Sequence, residues 1–423
     1  MPSRFETTIA ALVTIAIVLS ATNLYYSWSV LDTVTKGPGE VKVGFVFGLT
    51  GVSAKEGEAA RRTYEMAVKE VNDAGGIKSL NGLKIKSIWA DNQWKPEVAA
   101  SETERLITQE GVVSVFGAIY SSITLPAAQV CERYQVPMIG GDASSPRLTD
   151  GRFKYYFRIV ANDDMFGGAL FKFMKDAQTK TGTPIQKIAY VYEDSSFGSG
   201  CHAGWVAANN DTTLGGYTVV EDIAYSSSTA DLTSEVLRLK TADPDVILMA
   251  GYVNDGLLFA RTFKQLDYMP KAILTQDGVN KPEFIAGVAG TDLADYYLNV
   301  LSWNRDVNKT KSNEVRDKYE SLYGEQAYTD VIGWYSAFRT WYLAVEKAAS
   351  LDPKQIRNAL SSIEVPADQI PSVGSVKFDA NGQNTQIGLV MAQFKNGTWS
   401  TVFPWDVAAK QVVFPVPKWS ERT

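Results

Sequence analysis

Histidine is almost missing from this chain of 423 residues: His202 is the only one. Cysteine occurs twice, as Cys131 and Cys201. A zinc site built from three or four His and Cys side chains therefore lacks donors. A Ser-His-Asp or Cys-His system would have to run through His202 alone. The two cysteines stand 70 residues apart, in what the pattern below makes different lobes, so they read as buried free thiols. Clustered Lys/Arg tracts are missing too, and the formal net charge is −6, which argues against a nucleic-acid partner. No stretch fits GxxxxGK[ST] and no GxSxG elbow is present, which removes a P-loop and a hydrolase nucleophile turn. "GPGEVKVG" (37–44) has a glycine pattern but lies before the first strand, not after it. "DSSFGSGCH" (194–202) brings Ser199 near Cys201 and His202, yet reads as a glycine-rich helix start with a surface histidine. No cofactor, no metal and no catalytic role is expected.

What is present is a globular composition, 45% hydrophobic and 21% charged, over a length sufficient for two domains. The N-terminus carries 25 uncharged positions from Thr7 to Leu31, with "IAALVTIAIVL" at their centre. Spanning a bilayer takes about 20 apolar residues and a secretion signal about 7–15. The length favours an uncleaved anchor over a cleaved signal peptide. Tyr25, Tyr26 and Trp28 suit a membrane–water interface. With no cysteine between Leu19 and Leu31, the lipoprotein route is closed. Either reading puts residues 40–423 outside the cytoplasm, tethered in the first case by residues 7–31. "TVTKGPGE" (33–40) is then a short linker.

From residue 41 onward, strand and helix patterns alternate. "VKVGFVF" (41–47), "LKIKSIWAD" (83–91), "VVSVFGA" (112–118) and "VPMIGG" (136–141) are strands. The helices between them include "KPEVAASETERLITQEG" (95–111). A first helix carries Ala60, Tyr64, Ala67, Val68 and Val71 at helical spacing and closes on Gly75 and Gly76. Such a β-α-β-α-β-α-β run demands a parallel sheet with helices on both faces. A second run follows in "KIAYVY" (187–192), "YTVVEDIAY" (217–225), "DVILMA" (245–250), "KAILTQ" (271–276) and "YYLNV" (296–300). The fold class is thus α/β, with two doubly wound, Rossmann-like lobes. After residue 300 the pattern turns helical, then ends in a strand-rich tail from about Val373 with a hairpin signal in "KNGT" (395–398).

Ligands of open parallel sheets sit beyond the carboxyl ends of the strands, which directs attention to the strand-to-helix turns. Ser121 and Ser122 in "YSSITLP" fall at a helix N-terminus, where free N–H groups favour an anion. Ser144 and Ser145 in "GGDASSP" occupy the next such turn. Each of these serines has a bland alternative as a helix cap. Asp277 in "QDGVN" is either a cap or a carboxylate facing an ammonium or amide donor. Tyr252 and Phe197 lie in polar, glycine-bearing loops where core residues are less expected.

The order and spacing of "VKVGFVFGLTGVSAKEG", "AVKEVNDAGGI", "DNQWKPEVA", "VFGAIYSSITLPAA", "VPMIGGDASSPRLT", "VYEDSSFGSG", "DVILMAGYVNDG" and "QDGV" resemble one known family. It is the fold type I periplasmic binding proteins, specifically the leucine/isoleucine/valine-binding group of branched-chain amino acid ABC transporters. The resemblance covers nearly all of residues 41–405. It implies two lobes joined by three crossovers, here 40–161 plus 301–368 and 162–300 plus 369–423, after an N-terminal segment 1–39. It implies hinge closure over a small solute, handed on to ABC permease subunits. Matched position by position, Ser121 and Ser144 would hold an α-carboxylate and α-ammonium. The backbone at Asp142 would accept from the ammonium and Asp277 would pair with it. Phe197 and Tyr252 would wall the solute from the second lobe.

This sequence also departs from the family. Asp142 stands where a small apolar residue is common and Glu56 where an aromatic is common, while Asp330 falls near another side-chain position. Several buried carboxylates beside a zwitterion cost free energy unless paired. A small polar solute with extra donors (a polar or basic amino acid, an amide or urea) is expected in place of leucine. Trp94 and Tyr120 replace a disulfide found in some members. A ligand sensor for amides, urea or short carboxylates is the rival reading; the six residues before the apolar span favour transport.

Overall fold

Glu40–Phe47 forms β1, whose apolar stretch from Val43 to Phe47 is buried on both faces, as a central parallel strand requires. The computed structural model describes residues 39–51 and 53–422, and the apolar segment 7–31 lies outside them. β1 is flanked by β2 (Lys84–Asp91) and β3 (Val115–Gly117), both parallel to it. β4 (Met138–Gly140) and β5 (Tyr156–Arg158) complete a five-stranded sheet in the order β2-β1-β3-β4-β5.

Helix α1 (Ala54–Asp73) buries Ala60, Tyr64, Ala67, Val68 and Val71 against one face of this sheet. Phe45 packs between Tyr64 and Phe116 there, at ring separations of 5.0 and 5.3 Å. α2 (Pro96–Arg105) and α3 (Ser121–Tyr134) cover the other face, around Leu106, Ala127 and Cys131.

α4 (Asp163–Thr181) leads into the second sheet. Its parallel strands are β6 (Lys187–Glu193), β7 (Thr218–Tyr225), β8 (Val246–Ala250), β9 (Ala272–Gln276) and β10 (Leu298–Leu301). Between them run α5 (Ser196–Asn210), α6 (Thr233–Ala242), α7 (Val253–Gln265) and α8 (Pro282–Val288). The chain then returns to the first sheet with α9 (Thr310–Tyr323), α10 (Thr329–Ala348) and α11 (Pro353–Ser361), the last two packed with α1 in one core. A two-stranded ribbon, β11 (Glu364–Val365) and β12 (Val376–Lys377), precedes the final hairpin.

The "KNGT" signal does turn a hairpin, β13 (Val390–Lys395) with β14 (Thr398–Phe403). Asn396 and Gly397 both have positive φ, +50° and +77°, the pair that a two-residue hairpin turn of the favoured twist needs. The hairpin joins β10 antiparallel, so the second sheet is mixed, in the order β14-β13-β10-β9-β8-β6-β7.

Arg158, fully buried at the end of β5, ties the chain segments that pass between the sheets. Its Nε donates to Gln383 Oε1 at 2.7 Å, and Gln383 Nε2 donates to the Val160 carbonyl at 2.9 Å. Asn384 Nδ2 donates to the Ile159 carbonyl at 2.9 Å, so residues 159–160 and 383–384 are clamped side by side. Cys131 and Cys201 are buried and free. His202 lies on the outside, 2.9 Å from Asp222 and stacked 4.4 Å over Tyr192. Among the described residues no helix is long and apolar enough to cross a membrane.

Candidate functional site

β4 ends in Gly140 and Gly141, and the second glycine is there because a helix comes very close. The Gly333 carbonyl of α10 would lie 3.0 Å from a Cβ on Gly141, and a Cβ on Gly333 would lie 2.4 Å from the Gly141 carbonyl. This backbone-on-backbone approach sets the first turn of α10, with Asp330, beside the loop carrying Asp142 and Ser144. The loop is fixed from behind by the Arg158 guanidinium, which donates to the Ala143 and Ser145 carbonyls at 3.1 and 2.7 Å. Ser145 N donates to Ser121 Oγ at 3.2 Å, so the two serine turns are joined directly.

The second sheet presents its own strand ends to the same place. Phe197 starts α5, where Ser195 Oγ accepts from its N–H at 3.2 Å. Tyr252 precedes α7 and donates its N–H to Asp255 Oδ2 at 2.8 Å. Asp277 sits in a left-handed turn with Gly278, at φ +58° and +69°; a Cβ on Gly278 would meet the Gly251 carbonyl at 2.5 Å. Tyr252 stacks on Tyr120 across the gap at 4.4 Å, and Phe197 packs against Tyr252 at 5.4 Å. Trp94 and Tyr120 pack at 4.7 Å.

These residues enclose two adjoining hollows. One, of about 230 Å³, is lined by Ser121, Asp142, Ser144, Phe197, Tyr252 and Asp277. The other, of about 470 Å³, shares Asp142, Ser144, Phe197 and Asp277 and adds Gln276, Asn280 and Asp330. Ser122 is half-buried on α3 and lines neither. Glu56 lines neither but reaches the same acidic group from α1.

The residue that sequence reasoning missed is Lys281. Its side chain is 5% exposed, and its ammonium lies 3.1 Å from Glu56 Oε1 and 3.2 Å from Asp277 Oδ1. It donates a very short hydrogen bond to Asp330 Oδ2 and faces the Tyr328 ring at 5.8 Å. The contact with Glu56 has ion-pair distance without hydrogen-bond alignment, since Oε1 has no hydrogen-bonded partner. The available signal was the excess of acids itself: four carboxylates predicted near one cleft require a counter-cation, and Lys281 stands four positions after Asp277.

Burial by itself would depress the Lys281 ammonium. Asp277, Asp330, Glu56 and Asp142 reverse this and hold it well above the usual lysine range. Burial pushes Glu56 up to about 7 against the pull of Lys281, and pushes Asp330 up to about 6. Asp142 is raised well above the carboxylate range by burial and then by Asp330. Asp163, at the start of α4, is raised to about 7 by burial although Ser144 hydrogen-bonds it. The pairing expected on energetic grounds therefore exists, but it is incomplete. One ammonium serves four carboxylates.

Nothing in this arrangement assembles a nucleophile with a base: Cys201 Sγ is buried 3.6 Å from Asp163, whereas the adjacent His202 turns outward and pairs with Asp222. Comparison with known proteins agrees. A family model described as "Periplasmic binding protein" matches residues 40–398. The Leu/Ile/Val-binding protein homolog 8 of Brucella abortus is 30% identical over 386 residues, covering 89% of this chain and 93% of the relative. The LivJ substrate-binding protein of Streptococcus pneumoniae, solved with isoleucine, superposes with a TM-score of 0.74 at 23% identity, covering 89% of this chain and all of that one. A solute-binding protein of R. palustris, solved with benzoate, gives 0.73 at 19% identity, covering 89% and 98%.

Proposed function

This chain belongs to the periplasmic binding protein family, as a solute-binding protein of the branched-chain amino acid ABC transporter type and not an enzyme, and from that premise we propose how it works. The solute is small and amino-acid-like. It enters between a first lobe, residues 40–161 plus 301–368, and a second, residues 162–300 plus 369–423. Contacts to both lobes stabilise the closed form, and a permease takes the solute from it.

The observation that supports this reading is the hollow lined from both sides by Ser121, Asp142 and Ser144 and by Phe197, Tyr252 and Asp277. Hydroxyls and backbone amides at the Ser121 and Ser144 turns suit a carboxylate, and Asp277 suits an ammonium. The Tyr120, Phe197 and Tyr252 rings suit the exclusion of water. A relative solved with isoleucine and another solved with benzoate share the fold, so the fold leaves the solute open. The carboxylates around Lys281 favour a polar solute, an amide or urea over an aliphatic one.

We also propose that residues 7–31 anchor the chain and hold residues 40–423 outside the cytoplasm. Fractionation into membrane and soluble material before and after deleting residues 1–38 tests this, and release without the deletion contradicts it.

The function is tested by a thermal-shift screen of the full chain with amino acids, short amides, urea and small carboxylates. A solute present at about 1,000 times its Kd raises stability by about 4 kcal/mol. If only a carbohydrate or a protein partner shifted the transition, the reading would be wrong.

A further inference from the structure

The larger hollow has apolar walls at Val160, Phe166, Val300 and Leu301, and among its polar lining three side-chain oxygens stand out. Asp142 Oδ2, Gln276 Oε1 and Asn280 Oδ1 are each buried without a hydrogen-bond partner, and all three residues line it. Gln276 Oε1 and Asn280 Oδ1 are acceptors, and Asp142 Oδ2 becomes one when its carboxyl is ionised, which a cation beside it favours. Gln276 and Asn280 are 2% and 6% exposed. The orientation of Gln276 is fixed, because its Nε2 donates to Asp163 Oδ1 at 2.7 Å and leaves Oε1 as the free end. A buried acceptor left unpaired costs about 1–3 kcal/mol, so three on one wall describe the complement that is absent.

The charge balance points the same way. Glu56, Asp142, Asp277 and Asp330 surround Lys281 with a formal excess of negative charge, and among the described residues no lysine or arginine, Lys281 included, lines either hollow. Arg158, behind the Asp142 loop, is committed to Gln383, Thr149 and the carbonyls of that loop.

We infer that the solute carries a second cationic, multi-donor group, an ammonium or guanidinium beyond its α-amino group, and inserts it between Asp142, Gln276 and Asn280. The inference rests on the proposed amino-acid-like solute and names its class: basic amino acids. A branched aliphatic side chain in this hollow would leave every acceptor stranded. A guanidinium offers five N–H donors in a planar fork, and an ammonium three. A divalent metal ion on Glu56, Asp142 and Asp330, whose oxygens lie within 4.8 Å of one another, would first have to expel the Lys281 ammonium. An organic cation beside Asp142 would not.

Isothermal titration of the full chain with arginine, lysine, citrulline and leucine tests this. Citrulline keeps the shape of arginine and replaces the guanidinium by a neutral urea. Arginine or lysine should bind at least tenfold more tightly than citrulline and leucine. Asp142→Asn should lower the affinity for arginine and lysine at least tenfold more than it lowers that for citrulline. Tightest binding of leucine or citrulline overturns the inference and leaves the proposed function standing. Failure of both arginine and lysine to bind overturns it whatever else binds, as does calcium displacing them competitively. If, in addition, no amino-acid-like solute binds while a carbohydrate or protein does, the proposed function falls as well.

Discussion

The ammonium of Lys281, carried by the β9–α8 turn of the second lobe, lies 3.1 Å from Oε1 of Glu56 on α1 of the first. Asp330 of α10, again from the first lobe, holds the same ammonium by a hydrogen bond. The two sheets' elements are thus joined by charge beside the hollows, and under the proposed function closure and solute recognition draw on one set of groups.

Replacing Lys281 by methionine removes the cation of this cluster and leaves its carboxylates buried together. Breaking one side of a buried ion pair costs about 3–5 kcal/mol. The loss should be large at pH 7.5 and smaller at pH 5, where the acids hold protons. Adding Asp330→Asn should recover part of it. Denaturant unfolding of the single and double variants measures this, and additive effects would contradict the coupling.

Stability of the solute-free protein should fall as pH rises from about 4.5 to about 7. Glu56 and Asp163 titrate at about 7 in the folded chain, and Asp330 and Asp255 at about 6, all above their ordinary values because of burial. Over that window the folded state holds protons that the unfolded chain has lost, and each such group lowers stability by about 1.4 kcal/mol per pH unit. Glu56→Gln should flatten the profile. A transition midpoint that climbed between pH 5 and pH 7 would refute it.

Ser144→Ala and Asp277→Ala should each weaken solute binding at least tenfold with the fold retained. Circular dichroism checks the fold and titration the affinity. Unchanged affinity in both removes these residues from the site.

Gly333→Ala forces a Cβ to within 2.4 Å of the Gly141 carbonyl, a backbone atom that cannot swing aside. Overpacking of this kind costs about 1–3 kcal/mol. It should also part Asp330 from Asp142 and weaken binding. Gly168→Ala in α4, where an added Cβ meets nothing within 4 Å, is the control and should be neutral or mildly stabilising.

Much of this frame is legible in the residues. Apolar runs and helical spacing disclose both sheets, because the central strands β8, β9 and β10 are buried on both faces and read as nearly unbroken apolar stretches. Asn396-Gly397 discloses the hairpin because its turn requires positive φ. The serine turns and Asp277 are legible as strand-end groups, although their meeting in one hollow rests on crossovers that only the fold supplies. Lys281 is not legible alone. Glu56 and Asp330 come from helices distant in sequence, so the ammonium looks like any other surface lysine until three elements converge on it. The mixed character of the second sheet is hidden for the same reason: a hairpin reveals its own turn but not the strand it joins.

The hairpin has a consequence for the order of synthesis. β10 receives its outer partner, β13, only after the helices α9 to α11 of the other lobe have been made. A chain growing from its N-terminus therefore carries a bare, apolar strand edge on β10 until Phe403 has emerged, and such edges recruit other chains. A chain stopped after Leu389 should self-associate through that edge, as light scattering would register, whereas one stopped after Phe403 should stay monomeric. A well-folded monomer from the shorter chain would show that the edge is protected by something other than the hairpin.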